Sequence, residues 1–287
     1  MRHPIFIAAL LGSAVALSGC MRNNEAEEVT RAMESVNAID GTNLSDIMLT
    51  VGDPEEAVAY FTRSTNENPD RIDLRRGLAK SLVRANKPAQ AAKVWDQVLG
   101  MEGANESDRV AKADAQIRAN DWDGAEATLN TIPPTYETFE RYKLEAMVAD
   151  SKKQWKKADS FYEVATGLTT RPGGVLNNWG YSKLTRGDAK GAEKLFAEAL
   201  TYDPSKFTTK NNLVLARASQ RKYDMPVIDM SQTERAQLLY TAALSAIKQG
   251  DVTIGRGLLQ EAVDTHPQHF DEAARALAAL DANVAKG

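Results

Sequence analysis

The chain has 287 residues, 43% of them hydrophobic, with 35 lysines and arginines against 39 aspartates and glutamates. The net charge of −4 is dispersed and contains no basic block, which excludes the concentrated positive surface that nucleic-acid binding requires. A single cysteine excludes an internal disulfide, so the stability of the chain must come from packing.

Taken in chain order, Arg2 precedes an apolar run from Pro4 to Leu17 that is broken only by Gly12 and Ser13. The run is shorter than the roughly 20 residues of a membrane-spanning helix. Its order of positive, apolar and small residues is that of a secretory signal. It ends in Leu17-Ser18-Gly19-Cys20, which resembles the bacterial lipobox. That resemblance implies a lipoprotein signal peptide over residues 1–19, cleavage before Cys20, and lipid on the Cys20 sulfur and the new amino terminus. Each buried methylene contributes about 0.8 kcal/mol, so several acyl chains make a lasting anchor. An ordinary signal peptide or a buried free thiol is the other reading. Met21 follows the cysteine where an acidic residue would favour the inner membrane, so the expected location is the periplasmic face of the outer membrane. Residues 20–37 form the lipidated cysteine and a tether.

From residue 38 the sequence repeats. Ala57, Ala91, Ala125, Ala158 and Ala192 recur at steps of 34, 34, 33 and 34, each followed four residues later by a large side chain: Phe61, Trp95, Leu129, Tyr162 and Phe196. Gly52-Asp53, Asn86-Lys87, Asn120-Asp121, Gly187-Asp188 and Gly250-Asp251 supply the turns, glycine and asparagine being the residues that best tolerate the left-handed end of a helix. Trp122, Trp155 and Tyr223 share the start of a second helix. The stretch LNNWGYSKLTRGDAKGAEKLFAEALTYDP, residues 176–204, closely resembles the tetratricopeptide (TPR) repeat. In that motif two antiparallel helices approach closely at a small residue and bury apolar stripes three and four residues apart.

The expected fold is therefore all-α, a superhelical TPR solenoid of helix–turn–helix units. Five repeats occupy residues 38–206, and a partial repeat with an irregular insertion occupies 207–235, where Met225-Pro226 stands in place of a second helix. A further repeat spans 236–269 and a capping helix 270–287. Ser231 is expected to cap a new helix, and Pro133-Pro134 to shorten the second helix of the third repeat. The terminal helix is expected to bury Phe270, Ala274, Leu277 and Leu280.

Residues suited to chemistry are sparse. Past the signal, His266 and His269 fall together in one repeat boundary, and no Cys/His zinc set, phosphate loop or nucleophile elbow is present. The stretch around Asp121 and Asp123 mimics a calcium loop but has Ala119 and Asn130 where ligands belong. The chain is expected not to be an enzyme, with no cofactor, metal or small-molecule substrate. Resemblance to TPR proteins instead implies a partner-binding groove on the inner faces of the first helices, at Asn177, Tyr181 and Leu184 in the fifth repeat and Asn211 and Leu215 in the sixth. Asparagine can both donate to and accept from an extended peptide backbone. The asparagines have a second reading as helix caps or braces, and for Asn178 and Asn212 bracing is the expectation. Arg76, Lys80 and Arg84 form a cationic inner face in the second repeat, read as a solvated surface before a docking one.

Taken with the lipobox, the stretches NNWGYSKLTRGDAKGAEKLFAEAL, NNLVLARASQRKYDMP and HPQHFDEAARALAAL resemble the TPR lipoproteins of tight-adherence (Flp) pilus assembly, the TadD family. The resemblance implies a pilotin-like scaffold that helps to assemble or localise the pilus secretin, an outer-membrane pore, with the secretin or other Tad proteins as partners. A general periplasmic chaperone, or an accessory of outer-membrane protein insertion, is the alternative.

Overall fold

Close approach of helix backbones at small residues sets the architecture. Ala57, Ala91, Ala125, Ala158 and Ala192 are all fully buried, and Phe61, Trp95, Leu129, Tyr162 and Phe196 one turn further on are buried with them. Gly255 and Leu259 continue the pattern near the carboxyl end. The computed structural model describes residues 44–284. Cys20, the signal peptide and the tether of residues 20–37 lie outside the described residues. Those described are helical or irregular, with no strand among them. No helix among them is long and apolar enough to cross a membrane.

Two compact units divide between Ala104 and Asn105. The first contains α1 (residues 44–50), α2 (Pro54–Glu67), α3 (Ile72–Arg84) and α4 (Pro88–Leu99). Asp53 caps α2 by accepting from the Glu55 and Glu56 amides. The Arg84 guanidinium donates to the carbonyls of Met48 (2.6 Å) and Gly52 (2.7 Å), satisfying orphan acceptors at the end of α1. Arg76 donates to the Gly103 carbonyl at 2.9 Å. Two members of the cationic face in the second repeat are thus engaged with backbone carbonyls.

The second unit contains α5 (Glu106–Arg118), α6 (Trp122–Leu129), α7 (Phe139–Ser151), α8 (Trp155–Gly167), α9 (Gly173–Thr185), α10 (Ala189–Tyr202), α11 (Phe207–Ala218), α12 (Gln232–Lys248), α13 (Val252–Thr265) and α14 (Asp271–Val284). Helix α6 has 8 residues where α8 and α10 have 13 and 14; Pro133-Pro134 follow it. After α11 no second helix forms. Met225, Ile228 and Met230 from the irregular segment pack against the neighbouring clusters instead. Helix α12 then starts with a capping box between Ser231 and Glu234, and the buried Lys210 of α11 reaches the Glu234 carboxylate at 3.1 Å. In α14 the fully buried residue is Ala273, with Phe270 packed beside it, while Ala274, Leu277 and Leu280 are only half-buried.

The turns depart from expectation in one respect. Asn86, Asn120, Gly187 and Gly250 adopt left-handed backbone, but Gly52 does not, and Lys153 (φ 57°) and Arg221 (φ 60°) do. A lysine there carries the Cβ clash that glycine lacks. Lys153→Gly is expected to raise the unfolding free energy by roughly 1 kcal/mol, seen as a higher urea midpoint at unchanged slope. A lower midpoint would show that the turn gains more from the lysine than it loses in strain.

Candidate functional site

The first helices α7, α9 and α11 of the second unit together line a groove of about 550 Å³. Two indoles, Trp122 at the start of α6 and Trp155 at the start of α8, form part of its wall, with Met147, Tyr162 and Tyr181. Each tryptophan is held in place. The Trp122 Nε1–H donates to Asn120 Oδ1 at 2.8 Å, and the Arg186 guanidinium lies 5.7 Å from the Trp155 ring centre. The Tyr162 ring stacks on Trp179 at 6.1 Å. Tyr181 is 56% exposed despite its size.

Beneath these rings lies a polar floor. The Asp150 carboxylate accepts from Tyr162 OH (2.8 Å) and Ser182 Oγ (2.6 Å), tying α7 to α8 and α9. Burial pushes the Asp150 carboxyl above its usual value, against the lowering effect of those two hydrogen bonds. Burial, and then the neighbouring Asp150 charge, raise the Tyr162 phenol far above its ordinary range, so it stays a donor. Asp159 behaves oppositely. Burial pulls it upward, but hydrogen bonds from Trp179 Nε1 (2.6 Å) and the Arg186 fork (2.6 and 2.7 Å) prevail and hold it below the usual range.

The residues expected to face a partner are only partly brought together. Asn177 and Tyr181 line the groove, joined by Asn178, Asn212 and Thr208. Asn212 Nδ2 donates to Asn177 Oδ1 at 3.1 Å, so Asn212 braces Asn177 and shares its wall. Leu184 packs against the core around Ala192 and Phe196. Asn211 Oδ1 accepts from Thr241 Oγ1 at 2.8 Å, and neither Asn211 nor the half-buried Leu215 borders the groove.

Met147, Asp150 and Ser151 also line the groove, beyond the residues expected from the sequence. The inner-face register used for the fifth repeat reaches all three when moved onto α7. His266 and His269 serve separate local contacts: His266 packs beside Phe270 and bonds the Gln268 carbonyl at 2.8 Å, while His269 meets Asp271 at 2.9 Å. Asp121 caps α6 and Asp123 pairs with Lys152.

Antiparallel helix pairs in a fixed register, with a groove along their first helices, are the architecture of a tetratricopeptide-repeat solenoid. The tetratricopeptide repeat family model matches residues 48–102 and 82–148. No curated protein matches the chain. Among solved structures it is similar to a chain of the APC/C hetero-tetramer Cut9-Hcn1, at 15% identity over 82% of this chain with a TM-score of 0.58. It spans about half of that protein, 48%. It is also similar to a TPR protein from Parabacteroides merdae, at 12% identity over 84% of this chain and 97% of that one, TM-score 0.56. A third is PilW, described as a widely conserved type IV pilus biogenesis factor, at 12% identity over 74% and 92%, TM-score 0.58. At these identities the likeness is one of fold.

Proposed function

We propose that the chain is a lipid-anchored, non-catalytic scaffold that assists assembly or localisation of the outer-membrane secretin of a tight-adherence pilus. In this reading Cys20 carries the lipid and holds the protein on the periplasmic face of the outer membrane, and the α7–α9–α11 groove receives a segment of a partner protein. The groove carries the proposal: aromatic walls and an amide pair at Asn177 and Asn212 suit an extended chain, which needs apolar contact for its side chains and polar partners for its backbone. The fold shared with PilW, a pilus biogenesis factor by its description, and the resemblance to TadD lipoproteins support the pilus assignment.

In cells carrying the Asn177→Ala/Tyr181→Ala pair, secretin multimers and surface pili are expected to fall several-fold, with the variant present at normal level in the membrane fraction. Normal multimers and pili in those cells would overturn the groove's part. A general loss of outer-membrane proteins with intact pili would favour the chaperone function instead.

A further inference from the structure

The groove is short of positive charge. Of the described residues that line it, Asp150 is the charged one, among aromatic, amide and hydroxyl side chains. Lys152, next to the groove residue Ser151, pairs with Asp123 and Glu126. Arg186 forks onto Asp159, and Lys183 lies between Asp159 (3.3 Å) and Asp188 (3.5 Å). That cluster pairs two cations with two carboxylates and leaves Asp150 outside its ion pairs. Among the described residues Asp150 has hydrogen-bond donors in Tyr162 and Ser182 and forms no salt bridge; the cation that it senses, Arg186, is forked onto Asp159.

A carboxylate offers about four lone-pair sites and two are used here. Asp150 lines the same groove as Trp122, Trp155 and Tyr181, and aromatic faces attract cations. We propose that the groove selects a basic side chain, arginine or lysine, on the segment it binds, with the charged head on Asp150 and the aliphatic stem against the aromatic wall. The upward shift of Asp150 accords with this, because desolvation of the half-buried carboxylate outweighs its two hydrogen bonds and the Arg186 charge, and a cation bound directly to it would offset that cost. The proposal rests on the groove being a peptide site and adds the chemistry of its occupant.

Blocked pentapeptides with a central arginine, or with its neutral isostere citrulline, test it by calorimetric titration into the full-length protein at neutral pH. The arginine peptide is expected to bind about tenfold tighter, the scale of a charge-assisted hydrogen bond. Asp150→Asn should bring the two peptides within about twofold of each other, with helical circular dichroism unchanged. Tyr181→Ala should weaken both alike, since it removes wall and not charge. Equal binding of both peptides to the native protein would overturn the basic-residue proposal and leave the groove intact. Failure of both peptides to bind at millimolar concentration would overturn the groove as well.

Discussion

Phe196→Ala is expected to lower the unfolding free energy of the second unit by about 3–5 kcal/mol, read from urea titration followed by circular dichroism. The ring is fully buried on α10, in a cluster with Ala192, Leu200, Leu213 and Ala216, where Leu184 and Ile228 also pack. It therefore joins two successive repeats and the irregular segment that stands in for a missing helix. Repair by collapse on the α9 side is limited, because the residue facing the ring there is Gly180, which has no side chain to move inward. The fit is tight from the other direction too. A Cβ on Gly180 would stand 2.7 Å from the Phe196 ring, so Gly180→Ala should cost about 1–3 kcal/mol by overpacking, although alanine is the better helix former by about 1 kcal/mol. Phe61 meets Gly77 in the same manner. A loss below 1 kcal/mol for Phe196→Ala would mean that the repeats do not share a continuous core.

The repeat register was legible because its cause is geometric. Only a small residue lets two helices cross closely, and only a large one fills the space a turn later, so Ala158 and Tyr162 announce themselves by spacing. Register does not say what a given side chain does at its position. Asp150 and Leu184 hold equivalent inner-face places in successive repeats, yet Asp150 lines the groove and Leu184 joins the core. Leucine gains by leaving water, whereas a carboxylate needs donors and some solvent. Tyr162 shows the same limit from the other side. Its ring obeys the repeat, while its hydroxyl, once buried, requires an acceptor and so recruits Asp150 as the groove's floor. The repeat spacing puts Trp122 and Trp155 at helix starts, but their role as walls depends on neighbours as distant in the chain as Asn212. The left-handed turns at Lys153 and Arg221 are not legible in the sequence, because these side chains disfavour the backbone that they adopt.

Arg141→Met should be comparably damaging, and through a different mechanism. Arg141 lies in the first turn of α7 and is 8% exposed. Its Nε donates to Glu145 Oε1 at 2.9 Å, and its Nη1 to the carbonyls of Pro133 (2.7 Å) and Tyr136 (3.1 Å). The guanidinium thereby fastens the proline-broken connection after α6 to the start of α7. Methionine would match the packing but leave two loop carbonyls and the largely buried Glu145 carboxylate without their donor, a loss of about 3–5 kcal/mol. Lysine should rescue little, because one ammonium cannot reproduce the planar fork. The double variant Arg141→Met/Glu145→Met removes the stranded charge and should recover a large part of the loss, as buried pairs replaced by apolar residues often do. Should the double variant be no more stable than Arg141→Met, the loop carbonyls and not the ion pair would account for the effect. The same helix presents Met147 and Asp150 to the groove two turns later, so Arg141→Met should also weaken peptide binding, and the double variant should restore it only as far as it restores the placement of α7.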